Sequence, residues 1–94
     1  MKLLAFSPAA LADMDAIWDY SALHWGMDQA DAYVDDIVQA CHAVAGGRKI
    51  GKAAVRRGYL KLSVGAHMVY FQDRGDRLDV IRILHGRQDV DRHL

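Results

Sequence analysis

The amino-acid sequence predicts an α+β domain in which a helical hairpin packs on a small, largely antiparallel sheet, in the order β-α-α-β-β-β. Three observations predict it. Apolar residues recur at steps of three and four from Leu11 to Val44. A glycine-rich, basic stretch over residues 46–58 then interrupts the pattern. Beyond it the period falls to two, with Leu60, Leu62 and Val64 alternating with Tyr59, Lys61 and Ser63. A chain of 94 residues supports one domain, 1–94, and not two.

Residues 2–6 read as a short strand, and Ser7-Pro8 as a helix start. Ser7 suits the N-cap, and Pro8 suits the first helical position, where its missing N–H is not needed. Leu11, Met14, Ile17, Trp18, Ala22 and Trp25 form the apolar stripe, and Gly26 ends the helix. Asp28 is the expected cap of a second helix, reached after about three joining residues. Its stripe is Tyr33, Val34, Ile37, Cys41 and Val44, closed by Gly46-Gly47. Cys41 on that stripe is expected to be a buried structural thiol.

Residues 46–58 read as a basic loop. The GxxxxGK[ST] spacing of a phosphate-binding loop is absent, and no strand immediately precedes it. Gly65-Ala66 turns the chain between strands over residues 59–64 and 67–72, and Asp73-Arg74-Gly75-Asp76 makes the next hairpin turn. The last strand, Leu78 to Leu84, should be interior to the sheet. Val80 and Leu84 would lie on one face and Ile81 and Ile83 on the other, so both faces are apolar. The helices cover one face, leaving the other to the C-terminal segment or a partner. Arg82, set among these residues, requires an acid partner or a wet groove.

Composition narrows the function. One cysteine permits no intrachain disulfide, and no stretch approaches the run of about 20 apolar residues that a membrane span needs. The apolar N-terminus is broken by Ser7-Pro8 and followed by acids, unlike an export signal. A soluble cytoplasmic protein with no membrane partner is expected. The zero net charge hides an asymmetry. Residues 1–47 carry one Lys against seven Asp, and residues 48–94 carry eleven Lys and Arg against five Asp. Such a dipole favours a charge-matched partner.

Catalytic signals are sparse. His24, His42, His67, His85 and His93 form no HxxxH or HxH pair, there is no Glu, and no serine stands in a nucleophile-elbow context. No metal site, no cofactor and no catalytic residues are expected. The basic residues Arg56, Arg57, Lys61, Arg82, Arg87 and Arg92 could share a surface able to hold phosphates or an acidic protein segment. His85 is the best single candidate for acid–base work, with a structural or partner-binding role the leading expectation.

Several segments together resemble one family. Phe6-Ser7-Pro8-Ala9-Ala10 with Asp13, Ile17 and Trp18, then Trp25-Gly26 and the helix with Ala30 and Tyr33, resemble the opening of ParE toxins. Gly58-Tyr59, Lys61-Leu62, Gly65 and His67 match the middle. Ile83-Leu84-His85, Arg87, Asp89 and Arg92-His93-Leu94 match the end. The resemblance runs along nearly the whole chain and implies the RelE/ParE superfamily plan.

It also implies the toxin half of a type II toxin–antitoxin pair. A ParD-like ribbon-helix-helix antitoxin would neutralise it, DNA gyrase would be its target, and DNA would be engaged only indirectly, through the antitoxin. Arg57, Lys61, Arg82, His85, Arg87 and Arg92 are the expected target- or antitoxin-binding set, with Trp18, Trp25 and Tyr33 of the helical hairpin facing the antitoxin. RelE relatives instead cut messenger RNA, using basic residues and a C-terminal aromatic in the sheet groove. No tyrosine follows Phe71 here, so the tail lacks that aromatic. A ribonuclease, or a non-toxic member acting only in operon repression, are the alternatives.

Overall fold

In a computed structural model of the chain, which describes residues 1–88 and 90–94, the helical hairpin lies across one face of a five-stranded sheet. The elements are β1 (Leu3–Phe6), α1 (Pro8–Trp25), α2 (Met27–Ala45), β2 (Lys52–Ala53), β3 (Leu60–Val64), β4 (His67–Asp73), β5 (Arg77–His85) and α3 (Val90–His93). The sheet order is β1-β5-β4-β3-β2. Only the β1–β5 pair is parallel, because the helical hairpin carries the chain back over the sheet between them. The expected order and packing are therefore present. Two small elements were not foreseen: β2 lies inside the basic loop, and the tail ends in the short helix α3.

Ser7 caps α1 as its chemistry requires, its hydroxyl accepting from the Ala10 N–H at 3.0 Å, with Pro8 in the first turn. The joint to α2 is tighter than expected. Gly26 alone, at φ 93° and ψ 163°, ends α1 and begins α2. Asp28 is thus not the cap but a residue of the first turn of α2, where its charge still suits the helix dipole. A single glycine suffices because its positive φ reverses the chain without a side chain to clash.

The core forms where the helices meet the sheet. Ala10 and Ile17 of α1 and Ile37, Cys41 and Ala45 of α2 pack against Val69, Phe71, Leu78, Val80 and Ile83. Cys41 is fully enclosed, and burial pushes its thiol pKa up to about 12, so it is no nucleophile at neutral pH.

The alternation expected of β5 does not survive intact. Tyr70 pairs with Arg82 but Phe71 pairs with Val80, so Ile81 is the extra residue of a β-bulge. The bulge shifts the phase, and Val80 and Ile83 both belong to the helix-packed core. Leu84 lies on the opposite face with Arg82 and Tyr70, yet Tyr70 is 5% and Leu84 1% exposed. The tail reaches this face, as the Arg82 Nη1 donates to the His93 carbonyl at 3.3 Å.

Candidate functional site: a groove at the hairpin and a basic sheet face

β5 extends beyond the end of β1, and α1 takes over its exposed edge. The Ser7 N–H donates to the Val80 carbonyl (2.9 Å) and the Ser7 hydroxyl to the Ile81 carbonyl (2.7 Å). Asp13, one and a half turns into α1, accepts from the Ile83 N–H at 2.9 Å. The same carboxylate takes the Arg82 guanidinium in a two-pronged pair, Nε to Oδ2 at 2.7 Å and Nη2 to Oδ1 at 2.8 Å. This is the acid partner that Arg82 requires, and the Asp13 hydrogen bond raises the Arg82 pKa further. Arg82 is a bound structural cation more than a free one.

Past this edge a groove of about 780 Å³ opens between the C-terminal half of α1, the start of α2, the β3–β4 turn and the end of β5. Its walls are largely apolar, with Ile17, Tyr20, Trp25, Tyr33 and Ile83, and its polar groups include His67, His85 and Gln88. Tyr33 is pinned at one side. Its hydroxyl lies 2.6 Å from the His67 Nδ1, donates toward the Val64 carbonyl at 3.2 Å and accepts from the Ala66 N–H at 3.1 Å. His67 and His85 are paired across β4 and β5, their rings edge to face with centroids 5.5 Å apart. Burial, and then the neighbouring His85, lower the His67 pKa, while Asp13 opposes them.

The rim of the groove is an exposed aromatic knob at the tip of the hairpin. The Tyr20 and His24 rings stack with centroids 3.9 Å apart, and Trp25 stands edge-on to Tyr20 at 5.8 Å. Trp25 is 65% exposed, and Tyr20 57%. So much exposed apolar surface at one place marks a binding region more than a solvated end.

The nine candidate residues fall into separate groups. His85, Trp25 and Tyr33 meet in the groove. Lys61 and Arg82 stand on the opposite sheet face, in one row across the strands: Lys52–Lys61–Tyr70–Arg82. Arg92 is exposed on α3, which the Arg82–His93 hydrogen bond holds to this face. Arg57 is exposed in the turn before β3, and Arg87 in the turn after β5, where its N–H donates to the His85 Nδ1 at 3.3 Å. Trp18 belongs to neither group, since its indole N–H donates to Asp31 Oδ1 at 2.8 Å and ties α1 to α2. Asp89, quoted for the family resemblance, lies outside the described residues.

Sequence reasoning missed Asp13 as the partner of Arg82 and His67 and Tyr20 as groove residues. Only three-dimensional proximity joins them, although an arginine inside an apolar strand does signal that an acid must come from elsewhere. Among the described residues no group of three or more His, Cys, Asp or Glu could hold a metal, and no helix is long and apolar enough to cross a membrane.

A helical hairpin on a mixed sheet, with an apolar groove at the hairpin and basic residues on the opposite sheet face, defines a small α+β protein. The family is shown by comparison. Residues 4–90 match the model of the ParE toxin of type II toxin–antitoxin systems, parDE, and the chain belongs to that family. It is 43% identical over 91 residues to Toxin ParE1 of Mycobacterium tuberculosis, covering 94% of this chain and 93% of the relative. It is 33% identical over 96 residues to Toxin ParE1 of Caulobacter vibrioides, covering 100% and 99%. Among solved structures, a chain of the chromosomal ParDE TA system from P. aeruginosa superposes with a TM-score of 0.81 at 25% identity, over 90% of this chain and 96% of that one.

Proposed function

We propose that this ParE-family toxin arrests growth in the cytoplasm by binding DNA gyrase, without covalent chemistry of its own, and that a ParD-like ribbon-helix-helix antitoxin neutralises it. The observation that carries the binding reading is the groove with its exposed rim. An apolar channel flanked by Tyr20 and Trp25 suits an amphipathic helical segment, anchored by apolar side chains at helical spacing. The relatives named as ParE toxins and the solved ParDE system support an antitoxin as the occupant.

The sheet face argues against RNA cleavage. Arg82 is held by Asp13, and Tyr70, the aromatic of the basic row, is enclosed. Neither group is presented to a substrate as an acid–base step requires. The test is induction of the chain without an antitoxin, followed by detection of gyrase-linked DNA breaks. Growth arrest with intact DNA and cleaved transcripts would overturn the gyrase reading.

A further inference from the structure

Between Asp36 and Asp73 the chain contains no acidic residue and six cations: Arg48, Lys49, Lys52, Arg56, Arg57 and Lys61. Among the described residues none of the six forms an ion pair, the four pairs present being made by Lys2, Arg74, Arg77 and Arg82. Lys49 shares a shallow depression with Asp36, and the other five form no ion pair among the described residues. The helices that carry the hairpin's acids pack on the other face of the sheet, from which Asp13 reaches Arg82 and Asp36 borders Lys49. Lys61 shares its face with Tyr70, opposite the face on which Val69 and Phe71 meet the helices.

The register adds a second observation. Lys52 and Lys61 are direct cross-strand partners in the β2–β3 pair, so their side chains leave the same face side by side. Like charges placed directly opposite destabilise a strand pair, and this pair is only two residues long. Among the described residues neither lysine forms an ion pair that would offset the repulsion. Anionic groups brought from outside would relieve it.

We infer that the arm from Arg48 to Lys61 is a docking surface for the phosphodiester backbone of duplex DNA, so that the chain touches DNA directly and not only through an antitoxin. Charge complementarity selects a polyanion. The duplex is favoured because Tyr59 is the only aromatic in the arm and is half-buried, leaving no platform on which single-stranded bases could stack. A surface of flexible Lys and Arg side chains holds phosphates and reads no bases, so binding is independent of sequence.

The experiment is fluorescence anisotropy of the full chain against a labelled duplex of arbitrary sequence, titrated at several salt concentrations between about 50 and 200 mM. The expected result is weak, salt-sensitive binding. Lys52→Gln/Lys61→Gln and Arg56→Gln/Arg57→Gln, made separately, should each lower the slope of log K against log salt by about 2. Arg74→Gln/Arg77→Gln, which alters cations already paired with Asp79, should leave the slope unchanged. Thermal melts establish that each variant is folded, and Lys52→Arg/Lys61→Arg should retain binding. Unchanged binding by both Gln variants overturns the inference, as does tighter binding to single-stranded DNA, to RNA or to polyglutamate than to the duplex. The readout is independent of growth arrest and of gyrase.

Discussion

The Asp13 carboxylate accepts from two consecutive residues of β5, the Arg82 guanidinium at 2.7 Å and the Ile83 backbone N–H at 2.9 Å. It thereby neutralises a cation in an apolar strand and completes a sheet edge that β1 is too short to pair. Asp13→Ala removes both and leaves Arg82 largely enclosed without a counter-charge, so it should cost about 2–4 kcal/mol by urea denaturation. Asp13→Asn keeps an oxygen for Ile83 and should cost less. Arg82→Ala should also destabilise, and any loss of toxicity it causes must be read against its melting curve.

Gly65 and Tyr33 make a second test. A Cβ on Gly65 would lie 2.7 Å from the Tyr33 ring and hydroxyl, at a backbone φ of +56°. Gly65→Ala should therefore displace Tyr33 and cost about 1–3 kcal/mol. Tyr33→Phe fits the space but strips a partner from His67 and from the Ala66 N–H, at about 1–2 kcal/mol. Equal stability of Gly65→Ala and the parent would contradict the close approach.

Acidification probes His67. Its folded pKa lies below the ordinary 6.5, so the unfolded chain binds more protons between those two values. The groups facing it are Tyr33 from α2, His85 from β5 and Asp13 from α1. Stability should be full above 6.5, fall as pH drops toward the lowered value, and level off below it. Urea midpoints across this range should show the decline, and His67→Gln should flatten it. Asp73 and Asp79, whose pKa values are lowered by Lys2 and Arg77, add a separate loss only below 3.8.

Trp25 separates binding from folding. It is exposed, so Trp25→Ala should change stability by no more than about 0.5 kcal/mol. At the rim of an occupied groove, the same change should weaken antitoxin binding by about 2 kcal/mol or more in calorimetry. An unchanged affinity would move the antitoxin away from the hairpin tip.

Cys41 should resist thiol reagents in the native chain and react only through unfolding, because its thiolate is suppressed and enclosed. Labelling rates that track the denaturant-dependent unfolded fraction would agree. Rapid labelling without denaturant would not.

What the sequence made legible was local. Ser7-Pro8, the three-four spacing of both helices and the alternation of Leu60, Leu62 and Val64 each act within a few residues, and each element formed where they indicated. The bulge at Ile81 was hidden, because a run apolar on both faces reads the same with or without a phase shift. The glycine joint at Gly26 was hidden because Asp28 offered an equally good cap. Site geometry was least legible. Asp13 and Arg82 are brought together across 69 positions, and neither residue's immediate neighbours announce the other. The basic residues looked like one set, yet the sheet divides them between its outer face and its ends.

The parallel β1–β5 pair has a consequence for timing. Residues 3–6 must wait for residues 77–80 before either can complete the sheet, so the last strand to leave the ribosome joins the first. Contacts of such long separation form slowly and late. A nascent chain therefore carries an unfinished core until residues 77–80 have been made. The groove, walled in part by Ile83 and His85 of the same strand, comes into being only after that strand has been made.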